Sequence, residues 1–227
     1  MFVHLKTKTI YSLLEGAIFA KALANQCCKF KMPAVGIADR ANLFGALEFS
    51  EVLSDNGIQP IIGCQLPMSL KEADLKKLRA TDRNSMLFLA ANELGYRNLM
   101  ELSSKFFLND TYRFEGMSIQ EIDKFSDGLI CLSGGDESPI NNLLKDNKIK
   151  EAENLSLHFK RTFGDRFYLE MNRHPLGENY SNKVNIEDNI LDLADKQKLP
   201  LVATNDVYFL EKELYQPHDA LLCIAEG

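Results

Sequence analysis

The feature that most constrains this chain is alternation: short apolar runs bounded by turn residues repeatedly give way to stretches with helical spacing. Apolar segments at 3–9, 34–38, 58–64, 86–90, 128–132, 166–170 and 201–204 have the length of buried strands. Between them, 17–30, 43–53, 94–102, 139–144, 149–163 and 179–198 follow the helical period, and Ser118 with Glu121 forms a capping-box pattern before another short helix. Strand–helix alternation predicts parallel pairing with right-handed crossovers. Seven such units close most economically into an α/β barrel, and 227 residues suit one domain of that kind. The charged stretch 69–84 is expected to be a surface excursion, and 219–224 to begin a further helix.

Composition narrows the function. Hydrophobic residues make up 45%, enough for a full core, yet no run of eighteen apolar residues is present, so no membrane span is expected. The N-terminus lacks the apolar core of a signal peptide. Cys27, Cys28, Cys64, Cys131 and Cys223 are odd in number and contain no Cys-x-x-Cys pair. That pattern predicts reduced, buried thiols in a cytoplasmic protein. A net charge of −6 argues against strong DNA binding by these residues alone.

In a barrel, chemistry gathers at the C-terminal ends of the strands. Lys6 and Lys8 project from one side of the first strand, with Glu15 in the following turn. Asp39 and Arg40, Gln65, Gly135, Glu170 and Asp206 end or follow later strands. Ser85, at the start of its strand, fits that rule less well. The alternative for the two lysines is a solvated strand end. His4 is expected to pack on its strand, His158 to lie on a helix, and His218 to cap or pack at the last helix. The Ser133, Gly134, Gly135 turn is a weak candidate phosphate cradle. P-loop, dinucleotide and Ser-His-Asp patterns are absent from the sequence.

The stretches 3–16, 32–39 with Asn42 to Gly45, 60–63, 89–92 with Gly95 to Leu99, 128–134, 203–206 and 218–223 resemble, in order, the N-terminal polymerase-and-histidinol-phosphatase (PHP) domain of bacterial replicative polymerase alpha subunits. The resemblance implies a distorted (β/α)7 TIM-like barrel, and that residues 1–227 are one domain, a fragment of a longer polymerase chain. Active members of that family bind a three-metal cluster and hydrolyse phosphoesters. Carried over by position, the opening His-x-His falls on Lys6 and Lys8, and an acidic ligand on Glu15. Arg40 stands for a histidine, Gln65 for a glutamate, Ser85 for a histidine and Gly135 for a cysteine. The closing pair keeps Asp206 but has Tyr208 for its histidine. His174 sits where some members carry a pocket histidine, and Asp39 lies beside Arg40.

Only Glu15 and Asp206 keep a ligand type, and Lys6, Lys8 and Arg40 would repel a metal ion by several kcal/mol. The expectation is therefore a vestigial, metal-free pocket in which those three cations pair with Glu15, Asp39 and Asp206. The resemblance implies no catalytic residues and no cofactor in this domain, with magnesium belonging to a polymerase region outside it. The implied role is a silent structural and docking module in the cytoplasm. Its expected partners are the other domains of the polymerase chain, a proofreading exonuclease and further replisome subunits, with DNA reached through the full-length protein and no membrane contact. The alternative is an active metal-dependent phosphoesterase or 3′-5′ exonuclease.

Overall fold

The computed structural model describes residues 2–70, 84–172 and 180–226, side chains excepted for 180–185 and 226. The expected excursion at 69–84 and His174 lie largely or wholly outside them. The chain divides into two compact units, Met1–Cys64 with Asn205–Gly227, and Gln65–Thr204.

In the first unit a short strand, β1 (Lys6–Thr7), is flanked by β2 (Ala34–Arg40) and β9 (Asp206–Val207), both parallel to it. Registers Thr7↔Ile37 and Lys6↔Asp206 bring the ends of these three segments level. β2 is buried along nearly its whole length, as a parallel strand covered on both faces must be. A Cβ on Gly36 would lie 2.7 Å from the Leu5 Cα, so only glycine lets the two backbones approach so closely. Helices α1 (Ala20–Lys29) and α2 (Ala46–Asp55) bury Leu23, Ala24, Cys27, Phe49 and Leu53 against Val35 and Ile37. A last helix, α9 (Tyr215–Glu226), starts four residues earlier than its sequence pattern suggests.

Strand β3 (Gln59–Ser69) begins in the first unit, with Pro60 near its start, and ends in the second. There the sheet runs β8 (Leu201–Ala203), β7 (Phe167–Met171), β6 (Leu129–Leu132), β4 (Ser85–Ala90), β3, and β5 (Met117–Ser118) pairs with β3. Helices α3 (Glu93–Leu108), α4 (Asp110–Glu115), α5 (Ile119–Lys124), α6 (Pro139–Lys145), α7 (Ile149–Phe163) and α8 (Tyr180–Gln197) complete it. Asn92, Ser118 and Ser138 cap three of them through backbone N–H groups, and Pro139 takes the first helical position where its missing donor is harmless. Phe88, Phe159, Phe163 and Phe167 form the buried aromatic centre, with ring centroids 5.7 to 6.3 Å apart in successive pairs.

Three expectations need correction. Nine strands occur among the described residues rather than seven, because β5 and β9 are two-residue pairings with no apolar run of their own. The pairing is not all parallel: β4 runs antiparallel to β6, with Leu87↔Leu132 and Ala90↔Leu129. Cys28 and Cys223 are exposed, whereas Cys27, Cys64 and Cys131 are buried. Cys28 follows Cys27 on α1 and so points away from the stripe that Leu23, Ala24 and Cys27 bury.

Candidate functional site

The candidate residues fall into two groups, one in each unit. In the first, Lys6 and Lys8 are not solvated: their side chains are 1% and 0% exposed. The Lys6 ammonium lies 2.8 Å from an Asp206 carboxylate oxygen, a pairing dictated by the Lys6↔Asp206 register. Asp206 is thus the first residue of its own strand rather than a loop residue past β8. The Lys8 ammonium donates to the Ala38 carbonyl at 2.6 Å. One residue on, Asp39 is buried and accepts from the Thr9 amide (2.7 Å), the Thr9 hydroxyl (2.7 Å) and the Ser12 hydroxyl (2.6 Å). The carboxylate thereby fixes the turn that leaves β1, and the Arg40 amide donates to the Ser12 oxygen at 3.1 Å. Nearby, burial pushes the Cys64 thiol up to about 12, with the Lys8 charge opposing and Asp39 reinforcing that rise.

The Arg40 guanidinium pairs with Glu15 at 2.5 Å, both side chains half-buried. The Glu15 carbonyl accepts from the ring of His218 at 2.7 Å. His218, the fourth residue of α9, is buried with its ring 5.6 Å from Tyr208 and 5.0 Å from Phe209. It ties the last helix to the turn after β1 and does not cap the helix. Tyr208 is therefore an aromatic neighbour of a histidine at the position where the resemblance placed a histidine ligand.

In the second unit, Gln65 on β3, Ser85 on β4 and Glu137 from the 3-10 turn Gly135–Glu137 form a closed triangle. The Gln65 amide donates to Ser85 Oγ (2.7 Å) and to Glu137 Oε2 (2.9 Å), and Ser85 Oγ donates to the same carboxylate at 2.7 Å. The antiparallel course of β4 explains Ser85. Its N-terminal end shares an edge with the C-terminal end of β6, where Ser133 and Gly134 leave the sheet. Gly134 and Gly135, with φ of 107° and 63°, turn the chain back so that Glu137 reaches the strands.

The Gly134 N–H does not offer a vacant phosphate cradle. It donates at 3.0 Å to the carboxylate of Glu170, which is buried and also accepts from the Thr204 hydroxyl. The Ser133 hydroxyl accepts from the Glu170 amide at 2.9 Å. The protein's own anion occupies the place of an anionic ligand.

His158 lies on α7 and pairs with Asp123 at 3.0 Å, remote in sequence from either group. His4 is half-buried, with its ring edge-on to Phe2 at 4.9 Å. Burial lowers its pKa from the ordinary value. Glu137, Thr9, Ser12 and Thr204 were missed in the sequence. Only Glu137 had a visible signal, an acid two residues after a Gly-Gly turn.

As a donor set for divalent cations these residues do not fit. Lysine ammonium and arginine guanidinium groups have no lone pair to give, and in the first unit one oxygen each of Glu15 and Asp206 is already paired with Arg40 and Lys6. Among the described residues no three His, Cys, Asp or Glu side chains are placed to hold a metal ion.

DNA polymerase III subunit alpha of Caulobacter vibrioides is 44% identical over 227 residues, covering all of this chain and 19% of that protein. The same-named subunits of Rickettsia bellii and Borreliella burgdorferi are 36% and 33% identical, again over the whole chain and 18% and 20% of their own lengths. The chain thus spans about a fifth of the relatives it matches. Among solved structures, a candidate metal-dependent phosphoesterase from Bifidobacterium adolescentis superposes with a TM-score of 0.53 at 14% identity, covering 92% of this chain and 88% of that one. An amidohydrolase from Chromobacterium violaceum, solved with sulfate and no metal, gives 0.54 at 10% identity and 99% coverage of each chain. These likenesses establish a mixed α/β fold of the TIM-barrel-like class. The sequence profile of the PHP domain matches residues 4–174, three quarters of the chain, with β1 and its lysines at the start of the match. The chain belongs to the PHP domain family.

Proposed function

We propose that this chain is the PHP domain of a DNA polymerase III alpha subunit, acting within a longer polypeptide that performs DNA-directed DNA synthesis during chromosome replication. Within it the domain is a metal-free scaffold and docking module. One observation carries this reading: two buried lysines end the first strand, with the Lys6 ammonium on Asp206 at 2.8 Å. Fixed ammonium groups there neutralise carboxylates without offering a Lewis acid or an activated water.

The identity with three alpha subunits over the full chain supports the polymerase assignment. On this reading the nucleotidyl-transfer carboxylates and their magnesium belong to regions beyond these residues. The partners are the remaining domains of the polymerase chain, a separate proofreading exonuclease and other replisome subunits in the cytoplasm. Among the described residues no helix is long and apolar enough to cross a membrane.

Incubation of this chain with a chromogenic phosphodiester and manganese, zinc or magnesium tests the proposal. The expected result is hydrolysis no faster than buffer with metal, in a preparation whose circular dichroism shows it folded. Metal-dependent turnover that disappears in Asp206→Asn would replace the scaffold with a phosphoesterase.

A further inference from the structure

Two turns of the first unit carry large apolar side chains that stand exposed. Leu13 is 78% exposed and Leu14 46%, on the turn after β1; Phe44 is 65% and Leu47 72%, at the start of α2. The turns are interlocked. The Asn42 amide donates to the Tyr11 carbonyl at 2.9 Å, and the Tyr11 hydroxyl donates to Glu48 at 2.9 Å. A Cβ on Gly45 would lie 2.7 Å from the Tyr11 ring, so the ring lies directly against the start of α2. Leu14 and Ala41 hold left-handed φ angles of 63° and 57°, which strain a residue with a Cβ. Exposed leucine and phenylalanine gathered on two interlocked turns mark an interaction surface.

Along α2 the border of this patch has one sign, while on the side of Leu14 the Arg40 charge is paired with Glu15. Helix α2 buries Ala46, Phe49 and Leu53 and turns Leu47, Glu48, Glu51 and Asp55 to solvent, and its sequence contains no lysine or arginine. Glu51 and Asp55 have no cationic partner among the described residues. Asp55 stands at the helix C-terminus, where the backbone dipole opposes a negative charge. Such a surface repels nucleic acid and anionic lipid, and its charge complements a basic one.

We infer that the Leu13, Leu14, Phe44, Leu47 patch with its Glu48, Glu51, Asp55 border is a docking surface for a basic, amphipathic segment of another polypeptide. The apolar face of such a segment covers the leucines and Phe44, and its lysines or arginines meet the acidic border. The inference rests on exposure and charge in this unit and is independent of whether the strand-end residues bind metal.

Fluorescence anisotropy of a labelled amphipathic leucine–lysine helical peptide, against a leucine–glutamate peptide of equal length, tests it. The leucine–lysine peptide is expected to bind, and the leucine–glutamate peptide about tenfold more weakly or not at all. Phe44→Asp with Leu47→Asp is expected to weaken binding by about tenfold or more. Replacing Glu48, Glu51 and Asp55 by Lys is expected to invert the preference. Phe114→Asp, at an apolar position 74% exposed in the other unit, is expected to leave binding unchanged. All these positions are at the surface, so circular dichroism should match the parent. Three results overturn the inference: no binding of the leucine–lysine peptide, binding unaffected by the patch substitutions, or sedimentation showing that the patch instead joins two copies of this chain.

Discussion

Separating charge from packing at Lys6 is the sharpest use of the strand-end geometry. Lys6→Met keeps most of the side-chain volume and removes the ammonium. Asp206→Asn keeps the shape and removes the carboxylate. At 2.8 Å and an effective dielectric near 20, the pair attracts by about 6 kcal/mol before desolvation. Removing one partner of a buried pair typically costs about 3 to 5 kcal/mol, because the other charge stays behind uncompensated. The two sides are unequal here. Asp206 is 15% exposed and water can reach it, whereas Lys6 is 1% exposed. Lys6→Met should therefore cost about 2 to 3 kcal/mol and Asp206→Asn about 3 to 5 kcal/mol, with the double variant recovering about 2 kcal/mol of their sum. For 227 residues each kcal/mol corresponds to roughly 2 °C in Tm. Urea unfolding followed by circular dichroism measures all three. Strict additivity, to within about 0.5 kcal/mol, would refute the pairing.

Three further outcomes follow from other parts of the fold. At pH 8, Cys28 and Cys223 should react rapidly with a disulfide reagent, whereas Cys27 and Cys64, raised by burial to about 11 and about 12, and the buried Cys131 should react only on unfolding. Gly95→Ala places a Cβ 1.9 Å from the Gly128 carbonyl oxygen and should destabilise by about 3 kcal/mol, read as a lowered urea midpoint. A hydrogen bond from the Lys105 ammonium, opposed by burial, holds the Glu121 carboxyl below its ordinary value. The unfolded state therefore takes up its proton first as pH falls. That stabilising contribution is complete above the unfolded value near 4.5 and is lost as pH drops through the folded one, so Glu121→Gln should flatten the acid limb of the stability–pH curve.

How much of this was legible in the sequence depended on how local the signal was. The sequence predicts helix α7 at its observed bounds, because apolar spacing at the helical period is a local property. The capping box at Ser118 was equally readable, since Ser118 accepts from the Glu121 amide. The direction of β4 was not, because antiparallel pairing with β6 depends on which strands meet across the sheet, and apolar runs carry no sign of direction. That one reversal is what placed Ser85 beside Glu137. Likewise β9 shows no run of its own and exists because Asp206 and Val207 pair with β1. Lys6 and Lys8 were visible as a pair at a strand end, but their burial depended on carboxylates and carbonyls from segments 30 to 200 positions away.

The account turns on fixed ammonium groups standing where the family resemblance places metal ligands. Elemental analysis of the folded chain, purified without chelator and then dialysed against equimolar zinc and manganese, measures this directly. The account predicts less than about 0.1 equivalent of either metal retained, because the ammonium and guanidinium groups paired with Asp206 and Glu15 repel a metal ion by several kcal/mol. Retention of one or more equivalents, lost on Asp206→Asn, would contradict it.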